Sequence, residues 1–499
     1  MVRLHKFYRL AIFILLFFLS LFPRSIEALS RNYVFGFDQG RDMLAVWDIV
    51  VNHKLTLIGA EIGAGSAGFS YIFHGPFYYY SLCLPFILFG GDPYGGVVLM
   101  LIFGLASIIA GFFIGKKIFN RTFGIILAFL LAVSPALIPQ SRFIWNSHPT
   151  TLFILLLFYL VYKLSSNKSW ITFSAAFLSG FIYNFELGIS LPLSVALIIY
   201  SIIIFRIKNI KQYLFLFLGF ILAFLPMIVF EARHNFSMIQ NLLHHNSKTD
   251  VTFLLLQNLA RDHLQTFYYG FANTYPTQNI IPTSVMLITL ISIFIYFVHK
   301  DKNILVKKFF LFLLCLPIIT FIVFSIIIGK IWLHYLIHLN IAYIFISSYV
   351  VFNLTRNKQL YIKLPVILIS LFFIFIAIKY SVQTSISDYK DYGGMVKVRG
   401  EKDSIDYIYK DARGKKFGLL IFSPAIYTYQ YDYLIKWYGF KKYGYLPYSE
   451  KKGTFYLLIQ QDLGKPWTYK GWLETVVKSG KVVSTVKLPS GLIVQKRSL

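Results

Sequence analysis

Apolar residues in this chain run in long unbroken stretches rather than at the spacing of an amphipathic surface helix. Gly96–Gly115 and Phe309–Ile328 each carry about 20 residues without a charge, the length a helix needs to cross roughly 30 Å of hydrocarbon. A soluble core is not built this way, so the pattern predicts an all-α polytopic membrane protein with about 11 transmembrane helices. The start reads as an uncleaved first span. Arg3, Lys6 and Arg9 precede the apolar stretch Leu10–Phe22, and Pro23 and Arg24 interrupt the approach to any cleavage site.

Basic residues recur in short clusters between the apolar runs: Arg3/Lys6/Arg9, Lys116/Lys117/Arg121, Lys163/Lys168, Arg206/Lys208/Lys211, Lys300/Lys302/Lys307/Lys308 and Arg356/Lys358/Lys363. Assigned to the cytoplasm, they leave the turns near Arg142, Glu186, Arg233 and Lys330 outside, which is the positive-inside arrangement. The protein is then a multi-pass protein of the cell membrane with a cytoplasmic N-terminus and an extracytoplasmic C-terminus. One apolar stretch breaks the alternation. Phe77–Phe89, between His74-Gly75-Pro76 and Gly90-Gly91-Asp92-Pro93, reads as a helix in the outer interface, where Tyr78, Tyr79 and Tyr80 suit the headgroup level. A full crossing there would put every later basic cluster on the wrong side.

The membrane domain spans residues 1–380, with two large external segments, 29–93 and 232–278; long ordered loops are usually functional. Residues 381–499 turn lysine-rich and mixed polar and predict an extracytoplasmic α/β domain. Its strands are expected at Phe417–Phe422 and Thr454–Gln460, its helices at Asp403–Tyr409 and Tyr427–Trp437, and a terminal hairpin at Lys481–Lys496.

Composition narrows the function. The 499 residues are 57% hydrophobic and 19% aromatic, with 14% charged, and the net charge is +27. Because the basic residues are dispersed between spans rather than gathered on one stripe, no nucleic-acid partner is expected. Cys83 and Cys315, both in apolar surroundings, offer neither a disulfide framework nor a metal-spaced set.

Acidic residues are scarce, yet Asp38, Asp42, Asp48 and Glu61 all fall in the first external segment. A helix beginning at Asp38 places Asp38 and Asp42 on one face, with Met43, Val46, Trp47 and Val50 toward the membrane or the bundle. Asp38 is then either the N-cap of that helix or a catalytic carboxylate, and spacing alone does not separate the two.

Several pieces in order bear on that choice: Asp38-Gln39; His74-Gly75-Pro76-Phe77-Tyr78-Tyr79-Tyr80; Gly115-Lys116-Lys117-Ile118-Phe119; Ser134-Pro135; Ser141-Arg142-Phe143-Ile144-Trp145-Asn146; and Phe230-Glu231-Ala232-Arg233-His234. Together, over roughly residues 5–360, they resemble the GT-C class of membrane glycosyltransferases, in the bacterial branch with protein O-mannosyltransferases, aminoarabinose transferases and Rgt-type transferases. The resemblance implies a GT-C-like fold. It also implies transfer of a hexose or pentose from a polyprenyl-phosphate sugar donor to a cell-envelope glycan, lipid or protein acceptor on the outer face of the membrane.

By resemblance Asp38 is the general base and Asp42 the runner-up; inverting transfer needs one such base. Arg41, Lys54, Arg142, Arg233 and Lys330 are candidates for the donor phosphate, whose developing charge needs cations. Gln39, His74, Asn146, His148, Glu231, His234, His334 and Tyr335 are candidates for the acceptor or cavity. Two positions depart from the family. Gln39 and Asn146 stand where relatives have acidic residues, and since a hard cation wants several carboxylate oxygens, no metal and no other cofactor is expected.

His334 and His338 share a face if one helix carries both, whereas the adjacent pair His244 and His245 suits a solvated patch better than chelation. The alternatives are a transporter or flippase of lipid-linked saccharides, which would show paired halves and charges at mid-span, or a ligase, which would place its cations in a large late loop.

Overall fold

The computed structural model describes residues 2–62, 71–205, 209–241, 253–276, 282–326, 331–356, 360–390, 394–424, 427–462 and 464–499. Helices appear where the apolar runs lie. They are α1 (Val2–Ser30), α2 (Phe37–Val50), α3 (Phe77–Leu88), α4 (Tyr94–Ile118), α5 (Arg121–Val133), α6 (Thr150–Leu164), α7 (Ser169–Phe181), α8 (Leu187–Phe205), α9 (Ile210–Arg233), α10 (Phe253–Ala272), α11 (Thr283–Lys300), α12 (Ile304–Ile326), α13 (Ile337–Arg356) and α14 (Leu360–Lys390).

Among the described residues, seven stretches are long and apolar enough to cross a membrane: those in α1, α4, α8, α9, α11 and α12, and Leu333–Arg356, which ends in α13. The shorter α5, α6 and α7, with α14, fill the other positions at which the sequence places spans. α3 has 12 residues and so rises about 18 Å, well short of the bilayer core. α2 packs on α3, and α3 on α4.

Helix ends follow local chemistry. α4 closes on Lys116 and Lys117, which complement its carbonyl end, and Asn120 starts α5 by accepting from the Phe123 N–H at 3.1 Å. The α4–α5 turn can be this tight because Gly115 meets Gly124, where a Cβ would lie 2.9 Å from the Gly124 Cα. The main core packs aromatic and β-branched side chains of α5, α6, α8, α12 and α13, including Phe158, Phe309, Phe310 and Phe345.

The C-terminal domain opens with α15 (Val398–Ala412) and contains α16 (Tyr429–Leu434) and a sheet of β1 (Gly418–Phe422), β2 (Thr454–Ile459), β3 (Lys481–Lys487) and β4 (Ile493–Ser498). The sheet order is β1-β2-β4-β3, with β1 and β2 parallel and the other pairs antiparallel. This domain is docked on the α2 end of the bundle. Phe35 N–H donates to Val396 O at 2.9 Å, Val398 N–H to Tyr33 O at 3.0 Å, and Trp437 Nε1 to Gly90 O at 2.8 Å. Gly40 sits so close to the 429–430 backbone that a Cβ would lie 2.2 Å from the Gln430 nitrogen. Tyr33, Phe35, Met43 and Val46 share one core with Tyr431, Tyr433 and Leu434.

Candidate active site

α2 is held at its start by Gln39. Its Oε1 accepts from the Gly36 N–H at 2.8 Å while its Nε2 donates to Ile144 O, also at 2.8 Å. Gln39 is buried and both ends of its amide are spent, so it anchors α2 to the 134–149 loop rather than lining a cavity. It also displaces the capping role expected of Asp38, which stands at the second helical position after the N-cap Gly36. Asp38 is left with 37% of its side chain exposed and one partner, Arg41, at 2.9 Å.

Arg41 also reaches Asp42 Oδ1 at 2.8 and 3.0 Å. Asp42 is fully buried under Tyr78 and Tyr79 of α3, and burial, outweighing Arg41, pushes its carboxyl up to about 6. Asp38 and Asp42 thus divide the work expected of either. Asp42 holds Arg41 from beneath, and Asp38 presents an open carboxylate.

A second cluster meets the first. Asn146 Nδ2 donates to Phe185 O at 2.6 Å and to Glu186 Oε2 at 3.3 Å. His74 Nε2 lies 3.5 Å from the same amide and 4.0 Å from Glu186 Oε1. Its Nδ1 accepts from the Leu187 N–H at 3.3 Å, which assigns the proton to Nε2; burial, reinforced by Arg41, lowers His74 to about 3 and keeps it neutral. His334 Nε2 stands 3.8 Å from Glu186 Oε2, its ring packed on Trp145 and on Tyr335, each at 4.5 Å. Burial raises Glu186 to about 8, and the charge of Asp38 pushes the same way. Arg41 adds to the lowering of His74 and Asp38 to the raising of Glu186, so the charges of the first cluster reach the second.

Glu186 was not among the residues singled out from the sequence, yet it restores the carboxylate that Asn146 lacks, from a different loop and onto Asn146 itself. Its one sequence signal is isolation: it is the only acidic residue between Asp92 and Glu231.

Beside His334 opens a cavity of about 300 Å³, lined by Gln140, Trp145, Ser147, His148, Trp332 and His334 among others. Ser147 Oγ is buried there without a partner. His148 Nδ1 contacts Phe143 O at 2.8 Å and its ring packs against Phe143 and Trp145.

Other expected residues stand elsewhere. Arg142 is buried and makes a two-pronged pair with Glu27 near the end of α1, so it is a structural tie rather than a phosphate ligand. Lys54 is exposed beyond α2, and Arg233 is exposed on the last turn of α9. Glu231 accepts from the Met238 and Ile239 N–H groups at 3.1 and 3.2 Å, not from Arg233, and His234 packs on Phe230. Lys330, His244 and His245 lie outside the described residues. His334 and His338 do not share a helix face, because Leu333–Leu336 is a tighter 3-10 turn; His338 turns inward to Thr320 Oγ1 at 2.9 Å. Of the five cations expected at the phosphate, Arg41 alone stands at this site among the described residues. Also among the described residues, no three His, Cys, Asp or Glu side chains are grouped to hold a metal.

No family profile and no curated protein matches this chain in sequence. Solved structures match its fold. ArnT from Cupriavidus metallidurans bound to undecaprenyl phosphate superposes with a TM-score of 0.61 at 11% identity, over 98% of each chain. Its apo state gives 0.59 at 11% identity, over 98% of this chain and 96% of that one. The archaeal oligosaccharyltransferase AglB from Archaeoglobus fulgidus, in complex with an inhibitory peptide and a dolichol-phosphate, gives 0.52 at 13% identity, over 98% of this chain and 74% of that one. The chain has the GT-C fold.

Proposed function

We propose that this protein is an inverting glycosyltransferase, moving a sugar from a polyprenyl-phosphate donor to a hydroxyl of a cell-envelope glycan, lipid or protein on the outer face of the membrane. The observation that carries this reading is Asp38: a part-exposed carboxylate fixed by Arg41, in a fold shared with proteins solved holding undecaprenyl phosphate and dolichol-phosphate.

In this reading the acceptor hydroxyl gives its proton to Asp38 as its oxygen attacks the anomeric carbon. The bond from that carbon to the phosphate oxygen breaks, and its electron pair leaves with the lipid phosphate. Arg41 is already balanced by two carboxylates, so it contributes modestly to the phosphate charge. Neutral donors do more: a Glu186 that keeps its proton near pH 7 and the imidazoles of His74 and His334 add no negative charge beside an anionic leaving group.

The test is Asp38→Asn in lipid nanodiscs, following release of polyprenyl phosphate from labelled polyprenyl-phosphate sugars. A fall of about 10²–10⁴-fold is expected. Turnover within a few-fold of the unsubstituted protein would remove Asp38 as the base.

A further inference from the structure

Phe37, the first residue of α2, does not end at the domain boundary. Its ring lies 5.5 Å from that of Tyr427 and 5.3 Å from that of Tyr429, and the two tyrosines stack on each other at 5.3 Å with 11° between their planes. The Arg41 guanidinium sits 5.7 Å from the Phe37 ring and 2.9 Å from Asp38. The aromatic cluster and the open carboxylate are therefore contiguous, joined through one arginine. Tyr427 is 47% exposed, so the cluster reaches water through this ring.

The simplest role for such a cluster is to glue the C-terminal domain to α2. The docking does not need it. Gly40 against the Gln430 backbone, the two main-chain bonds at Tyr33 and Phe35, and the Tyr433 and Trp437 bonds to Gly91 and Gly90 already hold the domain. A tyrosine half in water contributes little to that contact.

We propose that Phe37, Tyr427 and Tyr429 form a stacking platform, shared between α2 and the C-terminal domain, that binds one pyranose ring of a saccharide acceptor beside Asp38. An aromatic face suits the C–H face of a pyranose, whose ring hydroxyls then project sideways, one of them toward the carboxylate. The donor's lipid tail must come from the helices of the bundle, whereas Tyr427 and Tyr429 belong to the C-terminal domain, which leaves the platform to the acceptor. The assignment rests on Asp38 as the base only for the word acceptor; the platform itself rests on the ring geometry.

Saturation-transfer NMR on the full-length protein in nanodiscs tests it, with methyl β-D-glucopyranoside, methyl α-D-mannopyranoside and methyl β-D-galactopyranoside as probes. Saturation of ring C–H protons is expected for at least one of them. It should fall at least threefold in Tyr427→Ala and be retained in Tyr427→Phe and in Asp38→Asn. Because Tyr427 is half exposed, Tyr427→Ala should leave the melting temperature in place, which excludes loss of the domain as the cause. No saturation with any of the three probes, or full saturation in Tyr427→Ala, overturns the platform. If Asp38→Asn keeps sugar transfer while Tyr427→Ala loses saturation, the base assignment falls and the platform stands.

Discussion

Arg142 separates a structural from a catalytic cation, and the difference is measurable. Arg142 and Glu27 are 8% and 6% exposed, and they pair through two nitrogens and both oxygens across 115 positions of sequence. The pair ties α1 to the loop that carries Asn146 and His148. Removing one partner strands a buried charge, so Arg142→Met or Glu27→Leu alone should cost about 3–5 kcal/mol, far above the 1 kcal/mol or less of a surface pair. Removing both replaces two buried charges with apolar groups of similar volume, so the double substitution should recover most of the loss, with a coupling of roughly 3 kcal/mol. The assay is chemical unfolding of the four proteins in one detergent, followed by donor turnover for the double variant. A single-variant cost below about 1 kcal/mol would refute the buried-pair reasoning. A double variant that regains stability yet turns over roughly 100-fold slower would show that Arg142 acts on the substrate after all.

Three further outcomes follow from the same geometry. Gly40→Ala normally helps a helix by about 1 kcal/mol, but here its methyl would collide with the Gln430 backbone, so the sign should reverse to a loss of at least 1–3 kcal/mol, with faster proteolysis between the membrane and C-terminal domains. Glu186, raised from 4.5 to about 8 in the fold, binds its proton more tightly folded than unfolded; its stabilisation is full below about pH 4.5 and is lost as pH rises through 8, on the order of 3–5 kcal/mol. Glu186→Gln should flatten the melting temperature between those limits, and an unchanged slope would count against the burial argument. Transfer should persist in EDTA, measured as polyprenyl phosphate release; its abolition, with rescue by a divalent ion, would show that a metal takes part.

Much of the fold is written locally. The apolar runs mark the helices because crossing hydrocarbon demands length and the absence of charge within one stretch of chain, and the short continuous apolar runs at 418–422 and 454–459 mark the buried strands of the tail domain for a comparable reason. Asp38 and Arg41 were legible too, since one helical turn relates them.

What the sequence could not decide was partnership at a distance. Nothing near Arg142 announces Glu27, nothing near Asn146 announces Glu186, and the amide of Gln39 gives no sign that it would take the capping role from Asp38. His334 and His338 are spaced to share a helix face, yet one 3-10 turn sends them to different neighbours. Run length and charge are properties of neighbouring residues and survive any packing. Which carboxylate is exposed, which is buried and which cation remains open depends on desolvation, and that exists only once distant segments have closed around the site.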